Sequence, residues 1–295
     1  MVPRCSLAAV LISMATLASA QPAAVPEPKL TPVAGCVHMI QGQGGNVAVC
    51  HGADGAFMVD DQYAPMTPGI VQALTALDAL PLRFVLNTHW HTDHTGGNEG
   101  MHGEGALIVA HENVRQRLST DQFIKAFGRP TPASPASAWP VVTYTRDVSF
   151  HLNGETVTAE HVPAAHTDGD SLVYFSQADV LHMGDIFFNG LYPFIDASSG
   201  GRVDGVLAAV DRGLAIAGPK TKIIPGHGPL TDRQGLIEYK QMLQGIRDRV
   251  AAAKRRGESL EQIQAARPTA RWDEQWGGGF LPPDAFVAIV FDALD

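Results

Sequence analysis

The apolar positions of this chain fall into short alternating or continuous runs broken by Gly, Asp and Pro, with a few longer stretches of helical period. From Cys36 to Asp61 three runs, "CVHMI", "NVAVC" and "AFMVDD", read as strands separated by Gly and Asp turns. Between Thr67 and Leu80 the residues Ile70, Val71, Leu74, Leu77 and Leu80 recur at helical spacing. "FVLNTH" (Phe84 to His89) and "ALIVA" (Ala106 to Ala110) are strand-like. His111 to Phe127 reads as helix, and Gly128 to Pro140, with four prolines, as loop. The β pattern returns in "VVTYT", "VSFHL", "TVTAEHV", "SLVYF" and "DVLHMGD", followed by a helix over "GVLAAVDRGLAIA". "TKIIPGHG" is a strand ending in a turn, Gln234 to Arg256 is a charged amphipathic helix, and the tail is a helix with a docking segment. Strands then helix, twice over, predicts an α/β chain of two sheet-plus-helix halves packed as one domain.

The N-terminus is a different object. Arg4, the apolar run Leu7 to Leu17 and the small residues Ala18, Ser19 and Ala20 follow the order of a secretory signal peptide over residues 1–20. That run is too short for a membrane anchor, and no other run in the sequence is long enough. The expectation is a periplasmic or secreted protein, soluble and free of stable membrane insertion after cleavage, with a Pro-rich, poorly ordered leader over 21–33. Lys and Arg number 21 against 30 Asp and Glu, a formal charge of −9, which is the wrong sign for a nucleic-acid partner. Cys36 and Cys50 flank two strand-like runs around Gly42 to Gly45. A hairpin folded about Gln43 sets them opposite, as a disulfide or as two buried thiols; the register decides, and the sequence leaves it open.

The chemistry concentrates in Thr88 to Asn98, "THWHTDHTGGN", where His89, His91, Asp93 and His94 fall within six residues. Imidazole and carboxylate are zinc ligands. Four ligands on so short a loop cannot all face one ion, so two neighbouring ions sharing them is the geometric solution. Gly96 and Gly97 permit a tight turn and close backbone approach. Three further candidates, His166, Asp185 and His227, each follow an apolar run and sit beside a Gly or turn residue, the same strand-end context as His89.

"HWHTDH", His166, "GD" at Asp185 and "GHG" at His227, in that order, resemble the signature of the metallo-β-lactamase superfamily; "FMVDD", with Asp60, is similar to its early acidic motif. The similarity runs from about Val37 to Leu230. It implies a four-layer αβ/βα sandwich over 34–295, a single domain with a helical tail from about 234, and a dimetal site between the two sheets at one edge. It also implies two Zn²⁺, with Mn²⁺ or Fe²⁺ as alternatives. His89, His91 and His166 would hold the first ion, Asp93, His94 and His227 the second, and Asp185 both. Asp60 would fix the ligand loop by hydrogen bonds, and Asp93 would orient the attacking water or shuttle its proton. The implied reaction is hydrolysis of an amide, ester, lactone or thioester by a hydroxide held between the metals.

Asn189 and Tyr192, with Phe194, in "FFNGLYPFID" are candidates for the pocket of a small-molecule substrate, with ordinary packing as the alternative. Trp90 lies between two ligands and points away from the metals into packing. Two other functions stay open. One is a true β-lactamase, against which Asp185 speaks because such enzymes typically carry Cys or Ser there; the other is a non-catalytic periplasmic metal-binding protein. Oligomeric state is not legible.

Overall fold

The computed structural model describes residues 25–294. The expected signal peptide lies outside them, as does the start of the leader. The chain continues through strands β1 (Lys29–Ala34), β2 (Val37–Gln41), β3 (Val47–Gly52), β4 (Gly55–Val59), β5 (Leu82–Leu86) and β6 (Leu107–His111). With β9 (Val142–Tyr144) these form a seven-stranded sheet in the order β1-β2-β3-β4-β5-β6-β9. Between β6 and β9, β7 (Gln122–Ile124) and β8 (Arg129–Thr131) pair as a separate antiparallel ribbon. The second sheet is β10 (Asp147–Leu152), β11 (Glu155–His161), β12 (Ser171–Phe175), β13 (Val180–His182), β14 (Lys222–Ile224) and β15 (Thr231–Asp232), in chain order. Helices α1 (Thr67–Ala76), α2 (Thr92–Thr95), α3 (Asn98–Gly103) and α4 (Glu112–Leu118) belong to the first half. The second half carries α5 (Val203–Ile216) and α6 (Arg233–Arg255), and α7 (Leu260–Ala265), α8 (Asp273–Trp276) and α9 (Pro283–Asp292) follow.

Alternation along the strands builds four layers. In β4, Phe57 and Val59 point into a core shared with Val157, Val173 and Phe175 of the opposite sheet. Ala56 and Met58 point the other way, against Ile70 and Leu74 of α1. Across the second sheet, Val173 and Val180 face the shared core, while Leu172 and Leu181 pack under Val206 and Val210 of α5 and Leu243 and Ile246 of α6. This is the αβ/βα sandwich expected from the sequence. The strands are buried on both faces, which is why several read as continuous apolar runs rather than alternating ones.

Two local expectations change. The leader expected over 21–33 ends earlier, because Lys29–Ala34 pairs antiparallel with β2, Lys29 opposite Gln41. Pro32 is tolerated there because β1 is an edge strand, where a missing N–H costs no ladder bond. The helix expected over 111–127 stops at Leu118, and the following residues form the β7–β8 ribbon instead. Cys36 and Cys50 are disulfide-bonded with Cα atoms 4.7 Å apart, the β2–β3 register setting Val37 opposite Cys50.

Candidate metal centre

Parallel pairing gathers the candidate residues at one edge. β4 and β5 run side by side and end together, so Asp60 emerges beside the Asn87–Gly97 segment. β13 and β14 do the same for Asp185 and His227. His166 arrives from the β11–β12 connection. Asp93 and His94 lie on α2, a single turn that follows His91 and carries them toward Asp185 and His227. Gly97 is required there, since a Cβ would stand 2.7 Å from the Asp61 carbonyl oxygen.

The seven expected ligands come together as two clusters that share one carboxylate. His89, His91, His166 and Asp185 form one, and Asp93, His94, Asp185 and His227 the other; within each, the candidate ligand atoms all lie within 4.8 Å of one another. In the first, His166 Nε2 is 2.8 Å from His91 Nδ1 and 3.6 Å from Asp185 Oδ2, and His89 Nε2 is 3.8 Å from the same oxygen. In the second, Asp185 Oδ1 is 2.9 Å from His94 Nε2 and 3.3 Å from His227 Nε2, which lies 3.2 Å from Asp93 Oδ2.

Four of the imidazoles are held by their far nitrogen, which fixes which nitrogen faces the centre. Asp60, fully buried, accepts from the Thr88 backbone N–H (2.7 Å) and from Thr88 Oγ1 (2.8 Å), and its Oδ2 lies 2.7 Å from His94 Nδ1. Thr88 Oγ1, whose one hydrogen is donated in the bond to Asp60, accepts from His89 Nδ1 at 3.1 Å. His166 Nδ1 donates to the Phe194 carbonyl (2.8 Å), and His91 Nε2 meets Asp196 Oδ2 at 3.1 Å. Asp60 thus joins the Thr88 backbone to the His94 ring. Asp196, Thr88 and the Phe194 carbonyl carried no readable signal: one is a carboxylate 105 residues from its partner, another a backbone oxygen.

Electrostatics divides the ligands. Burial opposes ionisation of Asp185, but His94 and His227 outweigh it and hold the carboxyl well below its usual range. Burial also opposes the charge on Asp93, yet His94 and His227 bring it down to about 2. Burial keeps His89 neutral, and lowers His166 to about 4. His89 Nε2 is buried with no hydrogen-bond partner. Leaving such an atom unmatched costs about 1–3 kcal/mol, which a cation beside it would remove. In the second cluster burial opposes the charge on His94 and His227, but Asp185 outweighs it, holding His94 well above its usual range and His227 up to about 9, so a cation there would displace protons. With the neutral imidazoles of His89 and His166 and the two ionised carboxylates, this is a donor set that can hold a dinuclear metal site.

The centre forms the floor of an open cavity of about 430 Å³. Asp93, Asp185, His91 and His227 reach it, with Phe188, Leu191 and Phe194 on its walls. Of the expected pocket residues, Phe194 is there and Asn189 and Tyr192 are not. Tyr192 is 1% exposed, stacks on Phe286 and donates to Asp273 Oδ1 at 2.9 Å, while Asn189 Nδ2 is spent on the Pro229 carbonyl. The chain turns between Leu191 and Phe194, so Tyr192 faces the α9 side. Trp90 packs as expected, its Nε1 3.2 Å from Ser199 Oγ, and its ring also borders the cavity. Tyr63, Ile124, Phe127, Arg129 and Phe280 also line the cavity.

The comparisons agree with this architecture. A probable metallo-hydrolase of Bacillus subtilis (strain 168), YqgX, is 27% identical over 192 residues, 61% of this chain and 87% of its own length. A metallo-β-lactamase from Pontibacter korlensis superposes with a TM-score of 0.60 at 21% identity, over 74% of this chain and 99% of that one. The sec-alkylsulfatase Pisa1 from Pseudomonas sp. superposes with a TM-score of 0.66 at 16% identity, over 90% of this chain but only 50% of its own. At these identities the two structures speak for the fold alone. The model of the metallo-β-lactamase superfamily matches residues 41–228, the span that contains every strand-end ligand, and the chain belongs to that superfamily of metal-dependent hydrolases.

Proposed function

We propose that the chain is an exported dinuclear zinc hydrolase that cleaves a carbonyl compound, whether amide, lactone, ester or thioester. The observation that carries this is the pair of His/Asp clusters sharing Asp185 on the floor of an open cavity. Two bound divalent ions would supply a water acidified to near neutral pH and a Lewis acid for the carbonyl oxygen. In this reading His89, His91 and His166 hold one ion, Asp93, His94 and His227 the other, and Asp185 both. Asp93 is about one-fifth exposed toward the cavity and ionised at neutral pH, so its free oxygen can accept a proton from the attacking water and return it to the leaving group. Asp185 stays ionised between the clusters. Phe188 and Phe194 keep the site dry on two sides, which strengthens each charge interaction inside it.

Zinc is preferred on the imidazole-rich donor set, with Mn²⁺ or Fe²⁺ the alternatives. Residues 1–20 are proposed as a signal peptide, and the Cys36–Cys50 disulfide supports a periplasmic or secreted location. A small molecule is the partner that a cavity of this size suits. Opening of β-lactams is a second reading, favoured by family membership and opposed by the carboxylate at position 185.

The test times a chromogenic cephalosporin, a lactone and a thioester against purified protein of counted zinc content, with and without chelator, beside Asp93→Ala. Chelator-sensitive turnover of at least one, reduced about 10²–10⁴-fold in the variant, is the expected outcome. Full zinc content with no turnover of any carbonyl compound would leave a metal-binding protein. Wild-type-like turnover by Asp93→Ala would remove the proton-transfer role.

A further inference from the structure

Two aromatic walls descend from the surface to the two clusters. On one side Phe127 meets Phe194 at 4.7 Å between ring centroids, and Phe194 lies over His91 at 5.8 Å with the rings 29° apart. On the other side Phe280 meets Phe188 at 6.4 Å, and Phe188 lies over His227 at 4.9 Å and 27°. The inner rings are buried, but the outer ones are 48% and 58% exposed. Leu191 and Ile124 extend the apolar lining. Large exposed rings converging on one cavity mark a binding surface rather than packing. The third side is polar and cationic. Arg129 opens β8 directly after Gly128, which takes the left-handed conformation at the ribbon tip (φ 57°). It borders the cavity and lies against the Tyr63 hydroxyl. Among the described residues Arg129 makes no ion pair, although the chain carries an excess of acidic groups. Among the described residues it is the one Lys or Arg that lines this cavity.

We infer that the cavity takes an acyl compound with an apolar, ring-bearing body and an anionic group, the body lying between the two aromatic walls and the anion on the Arg129 guanidinium. This rests on the hydrolase reading above. The planar fork of Arg suits a carboxylate bidentately, where Lys would offer only a point charge. Rings favour stacked or edge contacts with the flanking Phe side chains. The β7–β8 ribbon brings both features, since Phe127 and Arg129 flank its tip. A substrate that engages them is held by the ribbon over the catalytic floor.

The experiment compares two probe pairs in wild type, Arg129→Gln and Arg129→Lys. The first pair reads binding without turnover: 2-benzyl-3-mercaptopropanoic acid against its primary amide, by calorimetry, the thiol being common to both. The second pair reads turnover: the mono-thioester of 3-phenylglutaric acid against the same thioester with the free acid converted to an amide. The acid should bind about tenfold or more tighter than the amide in wild type, and Arg129→Gln should abolish that ratio. The same ratio should fall in KM for the thioester pair with kcat little changed, and Arg129→Lys should restore part of it. Equal binding of acid and amide by wild type, or an acid preference that survives Arg129→Gln, overturns the inference. An Arg129-dependent acid preference in binding, with no thioester cleaved by zinc-loaded protein, supports the inference and removes the hydrolase reading instead.

Discussion

At the scale of single residues, identity and position were legible to different degrees. The seven candidate ligands could be read because only a few residue types bind such metals and their strand-end context repeats. Their supports could not, because an acceptor for an imidazole N–H can be any oxygen in the chain. Asp196 and Asp60 show the consequence. Asp196 supports His91 alone, while Asp60 supports His94 directly and His89 through Thr88. On the proposed ligand assignment, Asp196→Ala should weaken one of two zinc-binding steps by about 10–100-fold and spare the other, whereas Asp60→Ala should weaken both. Chelator-competition titration resolves the two steps, and parallel loss in Asp196→Ala would contradict the partition of ligands. Tyr192 marks the opposite error, a residue near the site in sequence but turned into the core. Tyr192→Phe removes its bond to Asp273 and should cost about 1 kcal/mol in urea unfolding while leaving KM unchanged. A several-fold rise in KM would place the hydroxyl back against substrate.

At the scale of elements, long periodic segments were readable and the ribbon was not. α6 appears over Arg233–Arg255, close to the expected Gln234–Arg256, because its apolar stripe of Leu236, Tyr239, Leu243, Ile246 and Val250 keeps one face buried along its length. The segment after Leu118 holds Phe123 and Phe127, which a helical pattern assigns to a buried face. Both are exposed, because their surroundings are the cavity mouth and solvent rather than a core. Burial pattern predicts structure only where burial is the reason for the residue, and here ligand contact is the proposed reason. The β2–β3 hairpin is the converse case: its register was open in sequence and is closed by the disulfide. A cross-link spanning a 14-residue separation is worth about 3 kcal/mol through loss of chain entropy in the unfolded state. The double variant Cys36→Ser, Cys50→Ser should therefore unfold at lower urea by about that amount and retain its metal, since the bridge touches neither cluster. Metal loss at unchanged stability would show that the hairpin acts on the site rather than on the fold.

At the scale of the whole molecule, each cluster draws its candidate ligands from both halves. His89 and His91 follow a strand of the first sheet, and His166 and Asp185 belong to the second; Asp93 and His94 belong to the first, and Asp185 and His227 to the second. Bound ions would therefore fasten one edge of the sandwich, while the shared core fastens its middle. Removing them should not unfold the chain, because Phe57, Val157, Val173 and Phe175 still pack between the sheets. It should lower the melting temperature. Free zinc at about a thousand times its Kd stabilises by about 4 kcal/mol. For a domain of this size that amounts to a shift on the order of 10 °C. The same loss should be local in hydrogen exchange. Amides of residues 88–97 and 183–189 should lose protection on chelation, while those of β3, β4 and β12, at the centres of the sheets, should keep theirs. An unchanged melting temperature after zinc has been shown to leave would mean that the two halves hold the ligand geometry unaided. Loss of protection throughout the sheets would mean that the shared core is insufficient without the ions. The intermediate result follows from the architecture, in which a dry core joins the sheets and a ring of buried, mutually charged side chains closes their edge.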